Sequence, residues 1–276
     1  MLYYYRPEHF DGLGSQFMRH VTALAFSYKF GCTYLPLPLT QIQHLSVDQT
    51  KLIGQITNIK SMKYDSNLLR VPSRFWLDPW VPPSTARIII DEIINLVNNG
   101  KMQKAVMSVH GQYHQVNISD PSDFNLYFAK SIEVFRKEIE SHFSLETIKN
   151  QISIHVRRGD LLLPEWTKHR SSVSTEKCLD MINILSKKYK EYEINVFTEI
   201  SDLNPSEFDF LHSVPNVRVR ANEDAISNWI EMMRSEVLVM DKSTFSSSAA
   251  YLNCNKVYYW DRHITLPSVY NNWEKI

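Results

Sequence analysis

The apolar positions of this chain change rhythm near its middle. From Gln151 onward, short β-branched runs alternate with amphipathic stretches, giving strands over 151–156, 193–198, 216–219, 236–240 and 256–259. Between them lie helices over about 175–189, 205–212, 223–234 and 244–253. Regular alternation of this kind predicts a doubly wound α/β sheet. Before Gln151 the pattern is looser. Leu2–Arg6 reads as a strand, the glycine loop Asp11-Gly-Leu-Gly-Ser-Gln16 opens a helix over about Ser15–Phe30, and Thr33–Leu37 is a second strand stopped by Pro36 and Pro38. Ser84 caps a helix that carries Ile88, Ile89, Ile93, Leu96 and Val97 at helical spacing and ends at Asn98-Asn99-Gly100. Ala105–His110 reads as a strand, and Pro121–Phe143 as a long amphipathic helix with Phe128, Ile132, Phe135 and Ile139 on one stripe. Residues 41–83, with Trp76, Trp80 and four prolines between 72 and 83, show no regular element and read as irregular surface or cleft wall. The change of rhythm near 144–150 divides the chain into an amino-terminal α/β lobe, 1–145, and a Rossmann-like lobe, 146–276.

Two strand ends carry the candidate chemistry. Gln151-Ile-Ser-Ile-His-Val-Arg-Arg-Gly-Asp160 runs from a buried strand into two cations, a glycine and a carboxylate. Arg157 and Arg158 offer guanidinium forks suited to phosphate oxygens, and because successive strand residues face opposite ways, one reaches a ligand while the other braces a carboxylate. Asp160 and Glu165 are candidates for that brace or for a general base; a salt-bridged strand end is the competing reading. Lys242-Ser243-Thr244-Phe245-Ser246-Ser247-Ser248-Ala249-Ala250 joins an apolar strand to a helix, where hydroxyls and backbone N–H groups make either a phosphate seat or a plain N-cap. Taken with two arginines from an earlier strand end, the phosphate seat is favoured.

Composition narrows the field. The 276 residues balance 30 Lys+Arg against 30 Asp+Glu, which removes the overall basic field expected of a nucleic-acid binder. Cys32, Cys178 and Cys254 are odd in number and lack metal-binding spacing, and neither a signal-peptide pattern nor the run of about 18 apolar residues that marks a transmembrane segment occurs, so a reduced, cytoplasmic setting is expected, with a lumenal chain trimmed of its anchor as the alternative. Asp11–Gln16 lacks the third glycine of a dinucleotide fingerprint and the Lys-Ser/Thr of a P-loop, and neither Asp-x-Asp nor HExxH occurs. A bound diphosphate would have to be neutralised by arginine and helix dipole, with no metal. His20 and His110 read as structural.

Three segments, in order, resemble one family. Ile154-His-Val-Arg-Arg-Gly-Asp160 resembles the His-x-Arg-Arg-Gly-Asp motif shared by α-1,2-, α-1,6- and protein O-fucosyltransferases. Met233–Asn253, with its Ser-Thr-Phe-Ser core, is similar to the later strand-loop-helix of α-1,2-fucosyltransferases, and Gly12-Leu-Gly-Ser-Gln-Phe17 to their Gly-x-Gly-Asn-Gln loop. The resemblance implies a GT-B-like α/β fold with two Rossmann-like lobes facing a cleft, the first on the acceptor side. It implies a metal-independent inverting glycosyltransferase, without cofactor, that moves a sugar from a nucleotide sugar to an oligosaccharide or glycoconjugate acceptor. By position, His155 approaches the ribose, Arg157 and Arg158 hold the diphosphate, and Thr244, Ser246 and Ser247 seat the phosphates. Gly12, Gly14 and Ser15 form the amino-terminal donor loop, and Glu165 matches the spacing of the base in the α-1,6 branch. Trp76 and Trp80 are candidates to face acceptor sugar rings. Two departures stand out. Ser15 replaces asparagine, and Asn228 falls where the family has the aspartate that reads guanine, with Asp224 one helical turn away. GDP-fucose is the donor the family implies; an amide at 228 also suits uracil, so a UDP sugar such as UDP-xylose is the alternative, as is an inactive sugar-nucleotide-binding protein.

Overall fold

The computed structural model describes residues 2–5, 12–31, 33–36, 41–58, 74–77, 83–101, 106–109, 121–158, 173–200, 202, 204–260 and 272–276. The chain divides into two compact units between His142 and Phe143, and each is α/β with a wholly parallel sheet.

In the first unit, strands β1 (Leu2–Tyr5), β2 (Thr33–Pro36), β3 (Arg74–Leu77) and β4 (Val106–Val109) lie in the order β2-β1-β4-β3. Helix α1 (Leu13–Phe30) starts two residues before the expected Ser15, because Gly12 takes the extended N-cap conformation at φ −68° and ψ 166°. Gly14 and Ser15 therefore belong to its first turn. The helix ends at Gly31, whose φ of 63° is the left-handed conformation that glycine adopts without strain. Helix α2 (Val47–Thr57) occupies part of the stretch expected to be irregular, and β3 another part. The start of α2 is a capping box: Gln49 N–H donates to Ser46 Oγ at 3.2 Å, and Ser46 N–H to Gln49 Oε1 at 2.8 Å. Helix α3 (Pro83–Asn98) begins at a proline, which suits the first helical turn, so Ser84 lies inside the helix and not at its cap. Helix α4 (Pro121–Glu140) stops short of Phe143. Its Phe128, Ile132, Phe135 and Ile139 stripe is buried, with Phe135 edge-on to Phe17 of α1 at 5.3 Å. His20 is structural, as expected. Its Nδ1 lies 2.6 Å from the Tyr34 hydroxyl, and burial, with the Arg19 charge beside it, lowers its pKa to about 3. His110 lies outside the described residues.

The second unit follows the alternation read from the sequence. Strand β5 (Ile148–Val156) is succeeded by α5 (Thr175–Lys188), β6 (Glu193–Thr198), β7 (Val217–Ala221), α6 (Ala225–Arg234), β8 (Ser235–Met240), α7 (Thr244–Leu252), β9 (Lys256–Tyr259) and β10 (Trp273–Lys275). In place of the helix expected over 205–212 there are turns and a 3-10 segment, Asp209–Ser213. Counted from β5 as the first strand, the order across the sheet is 3-2-1-4-5-6, that of dinucleotide-binding folds. Ile152, Ile154 and Val156 point to one face and pack with Cys178, Met181, Ile182 and Leu185 of α5; each such buried side chain contributes about 1.5–3 kcal/mol. Ser153 and His155 point to the other face, which α6 covers.

Candidate functional site

The strand order locates a crevice. The order of connection reverses between β5 and β8, parallel neighbours whose following segments leave on opposite faces, and open α/β sheets bind ligands outside the carboxyl ends of the strands at such a point. Arg157 and Arg158 follow β5, and Asp241 to Ser243 follow β8, so this sheet delivers both candidate segments to one place.

The two arginines part ways there. Arg158 continues the Ile154–Val156 side and is buried, its side chain 2% exposed. Its Nε donates to Glu207 Oε1 at 2.5 Å, one of its terminal nitrogens to the Arg157 carbonyl at 3.0 Å, and its guanidinium lies over the Phe208 ring at 5.3 Å. It braces a carboxylate, Glu207, which sequence reasoning did not name. Arg157 is half-buried and lies close enough for its charge to act on His155. Burial first, and that charge second, lower the His155 pKa to about 3, so the ring is neutral; it sits 5.5 Å from the Phe245 ring.

Asp241 joins the strand ends. Arg157 N–H donates to its Oδ2 at 2.8 Å; Lys242 N–H and the Trp260 indole donate to its Oδ1 at 2.6 and 3.1 Å. Burial raises its pKa, opposed by those three N–H groups and by the Arg158 charge. Ser243 is the N-cap of α7, accepting from Phe245 N–H at 3.3 Å, and Thr244 is the first helical residue. Ser246 and Ser247, expected to turn their hydroxyls to phosphate, are buried. The Ser246 hydroxyl faces inward, accepting from Asp241 N–H at 3.3 Å and approaching the Asp241 and Ser243 carbonyls at 3.4 Å. Thr244 and Phe245, both half-buried, stand at this end beside the first backbone N–H groups of the helix and its dipole.

Asn228 lies on the fourth position of α6, behind the N-cap Asp224, whose carboxylate accepts from Ser227 N–H at 2.7 Å. Capping occupies Asp224, and Asn228 is the buried polar side chain of this turn. Among the described residues, Asn228 Oδ1 and His155 Nδ1 are buried with no hydrogen-bond partner. Asn195 Oδ1 on β6 shares that state, and buried acceptors are ordinarily satisfied.

Cys178, near Arg158, Asp241 and Glu207, has its thiol pushed up to about 12 by burial and is no nucleophile at neutral pH. Among the described residues no group of three His, Cys, Asp or Glu could hold a metal ion, and no helix is long and apolar enough to cross a membrane. Gly12, Gly14 and Ser15 lie in the first unit; a Cβ on Gly12 would meet nothing within 4 Å among the described residues. Trp76 lies on β3, an edge strand of that unit's sheet. Asp160, Glu165 and Trp80 lie outside the described residues. Sequence reasoning missed Glu207, Asp241 and Trp260; an aspartate directly after an apolar strand and before the serine loop was the one local signal available.

No protein family matches this chain, and no curated protein does. Among solved structures, the fucosyltransferase NodZ from Bradyrhizobium is 16% identical at TM-score 0.46, covering 96% of this chain and 97% of that chain. POFUT1 in complex with GDP is 12% identical at TM-score 0.45, covering 94% and 97%. The glycosyl transferase family 9 protein from Veillonella parvula DSM 2008 is 10% identical at TM-score 0.45, covering 100% and 86%.

Proposed function

We propose that this chain is a nucleotide-sugar glycosyltransferase that holds the donor's diphosphate at the β5/β8 switch point and transfers the sugar, with inversion and without a metal, to a hydroxyl of a glycan acceptor. The observation that carries the reading is the 2.8 Å bond from Arg157 N–H to Asp241, which fixes a guanidinium-bearing strand end beside the amino terminus of α7. A strong cation and a helix dipole on one crevice suit a departing diphosphate, whose developing charge they stabilise in the transition state. Arg158 acts here through its side chain's hold on Glu207 and on the Arg157 carbonyl. The acceptor proton goes to a carboxylate, for which motif spacing favours Glu165 over Asp160.

Asn228 bears on the donor base. Its orphaned Oδ1 takes one N–H, while its amide nitrogen gives one, a pattern that uracil meets with N3–H and a neighbouring carbonyl. Guanine offers two adjacent donors, which a carboxylate accepts better. GDP-fucose is the donor the motifs imply, and a UDP sugar is the second reading that Asn228 favours. Calorimetry with GDP, UDP, GDP-fucose and UDP-xylose, alongside a donor-hydrolysis assay, tests both. Absence of nucleoside diphosphate binding overturns the proposal; binding without turnover on any acceptor makes the chain a sugar-nucleotide-binding protein.

A further inference from the structure

We infer that Asp241 is a positioning residue for the donor diphosphate: its carboxylate gathers the ends of β5, β8 and β9 and so fixes Arg157 against the start of α7. The inference rests on the diphosphate reading of this crevice. At a switch point parallel strands diverge, and their last N–H groups lose ladder partners. Asp241 replaces those partners with one side chain, taking Arg157 N–H on Oδ2 and Lys242 N–H and the Trp260 indole on Oδ1. Its own N–H meets Ser246 Oγ at 3.3 Å, and its carbonyl accepts from Ser243 N–H at 2.7 Å, which sets the first turn of α7.

Other roles fit less well. The residue is 2% exposed and both oxygens face N–H donors, so it is not placed to take a proton from an acceptor. A bare carboxylate would repel a diphosphate; here three N–H groups and the nearby Arg158 charge compensate it. Only an ionised carboxylate offers two acceptor oxygens for this task. In Asp241→Asn one end becomes an NH₂ group, and a donor then faces a donor either at Arg157 or at Lys242 and Trp260.

Charge and position therefore predict opposite signs. If Asp241 mattered only as a negative charge, Asp241→Asn would tighten GDP and UDP. If it positions Arg157 and α7, the variant weakens GDP or UDP by about tenfold, the effect of one misplaced charge-assisted contact, and leaves guanosine and uridine within about twofold. Calorimetry for the diphosphates and ligand-detected NMR for the nucleosides give the ratio, with wild-type protein alongside. Trp260→Phe removes only the 3.1 Å indole bond and shifts the ratio the same way by about two- to fivefold; it carries the test should Asp241→Asn not fold. Wild-type binding with an unchanged or inverted ratio in the folded variants overturns this inference and leaves the transferase reading standing. Wild-type protein that binds neither diphosphate overturns both.

Discussion

Replacing Glu207 by glutamine removes the negative partner of Arg158 and keeps its shape. Arg158 is 2% and Glu207 11% exposed on their side chains, joined at 2.5 Å, so the arginine cannot recover full hydration without leaving its place. Removing one partner of a buried pair costs about 3–5 kcal/mol, because a charge is left uncompensated. The lower end applies here: the glutamine oxygen still accepts from Nε, and Arg158 keeps the Arg157 carbonyl and the Phe208 ring. At about 2–4 °C per kcal/mol for a chain of this size, Glu207→Gln lowers Tm by about 6–12 °C. In the cycle built from Arg158→Met and Glu207→Leu, the double variant, with no buried charge, returns to within about 1 kcal/mol of wild type, giving a coupling energy of about 2 kcal/mol or more. Urea denaturation followed by tryptophan fluorescence measures all four corners of the cycle. A cost below about 1 kcal/mol for Glu207→Gln would show that Glu207 does not hold Arg158, and the assignment of Arg158 as the bracing arginine would go with it.

His20 and His155 have folded pKa values lowered to about 3 against 6.5 unfolded, so the unfolded chain takes up protons first on acidification. Their contribution is intact above pH 6.5 and lost as pH falls towards 3, at about 1.4 kcal/mol per pH unit for each histidine; equal urea midpoints at pH 7 and pH 5 would refute it. Ser46→Ala breaks the capping box of α2 and costs about 1 kcal/mol, read as a lower urea midpoint, with Gln49→Ala less than additive to it. Asn228→Asp raises the GDP-to-UDP affinity ratio by about tenfold, since a second acceptor oxygen faces the base; an unchanged ratio would remove residue 228 from base recognition. Gly12→Ala costs up to about 1 kcal/mol, read as a lower urea midpoint, because alanine is disfavoured at an N-cap although a φ of −68° suits it; a larger loss would show a close neighbour at Gly12.

The doubly wound half was legible where its strands carry apolar positions over strand length, as Ile152–Val156 and Val237–Met240 do. The first unit was less so. Its helix over 47–57 has only modest apolar periodicity, and the signal that marks it, Ser46-x-x-Gln49, is a capping pair that an apolar count does not weigh. Strand β10, three residues long and with Glu274 and Lys275 exposed, carries no alternation to read. At the site, the residue types at Arg157, Arg158 and Ser243 were visible, but their division of labour was not. Glu207 lies 49 positions from Arg158 and Asp241 lies 84 from Arg157, so the partners that turn one arginine into a brace and anchor the other come from separate elements.

That separation of 84 residues between Arg157 and Asp241 also has a kinetic side. In equilibrium terms a long closure is cheap, since each doubling of loop length adds only about 0.6 kcal/mol. In time it is dear: β5 and β8 can zip together only after α5, β6, β7 and α6 have been laid down between them, and non-local parallel pairing is the slow part of folding. The crevice is thus sealed by a non-local parallel pairing, of the class that slows folding, and relinking the termini would lengthen its closure from 84 residues to about 192.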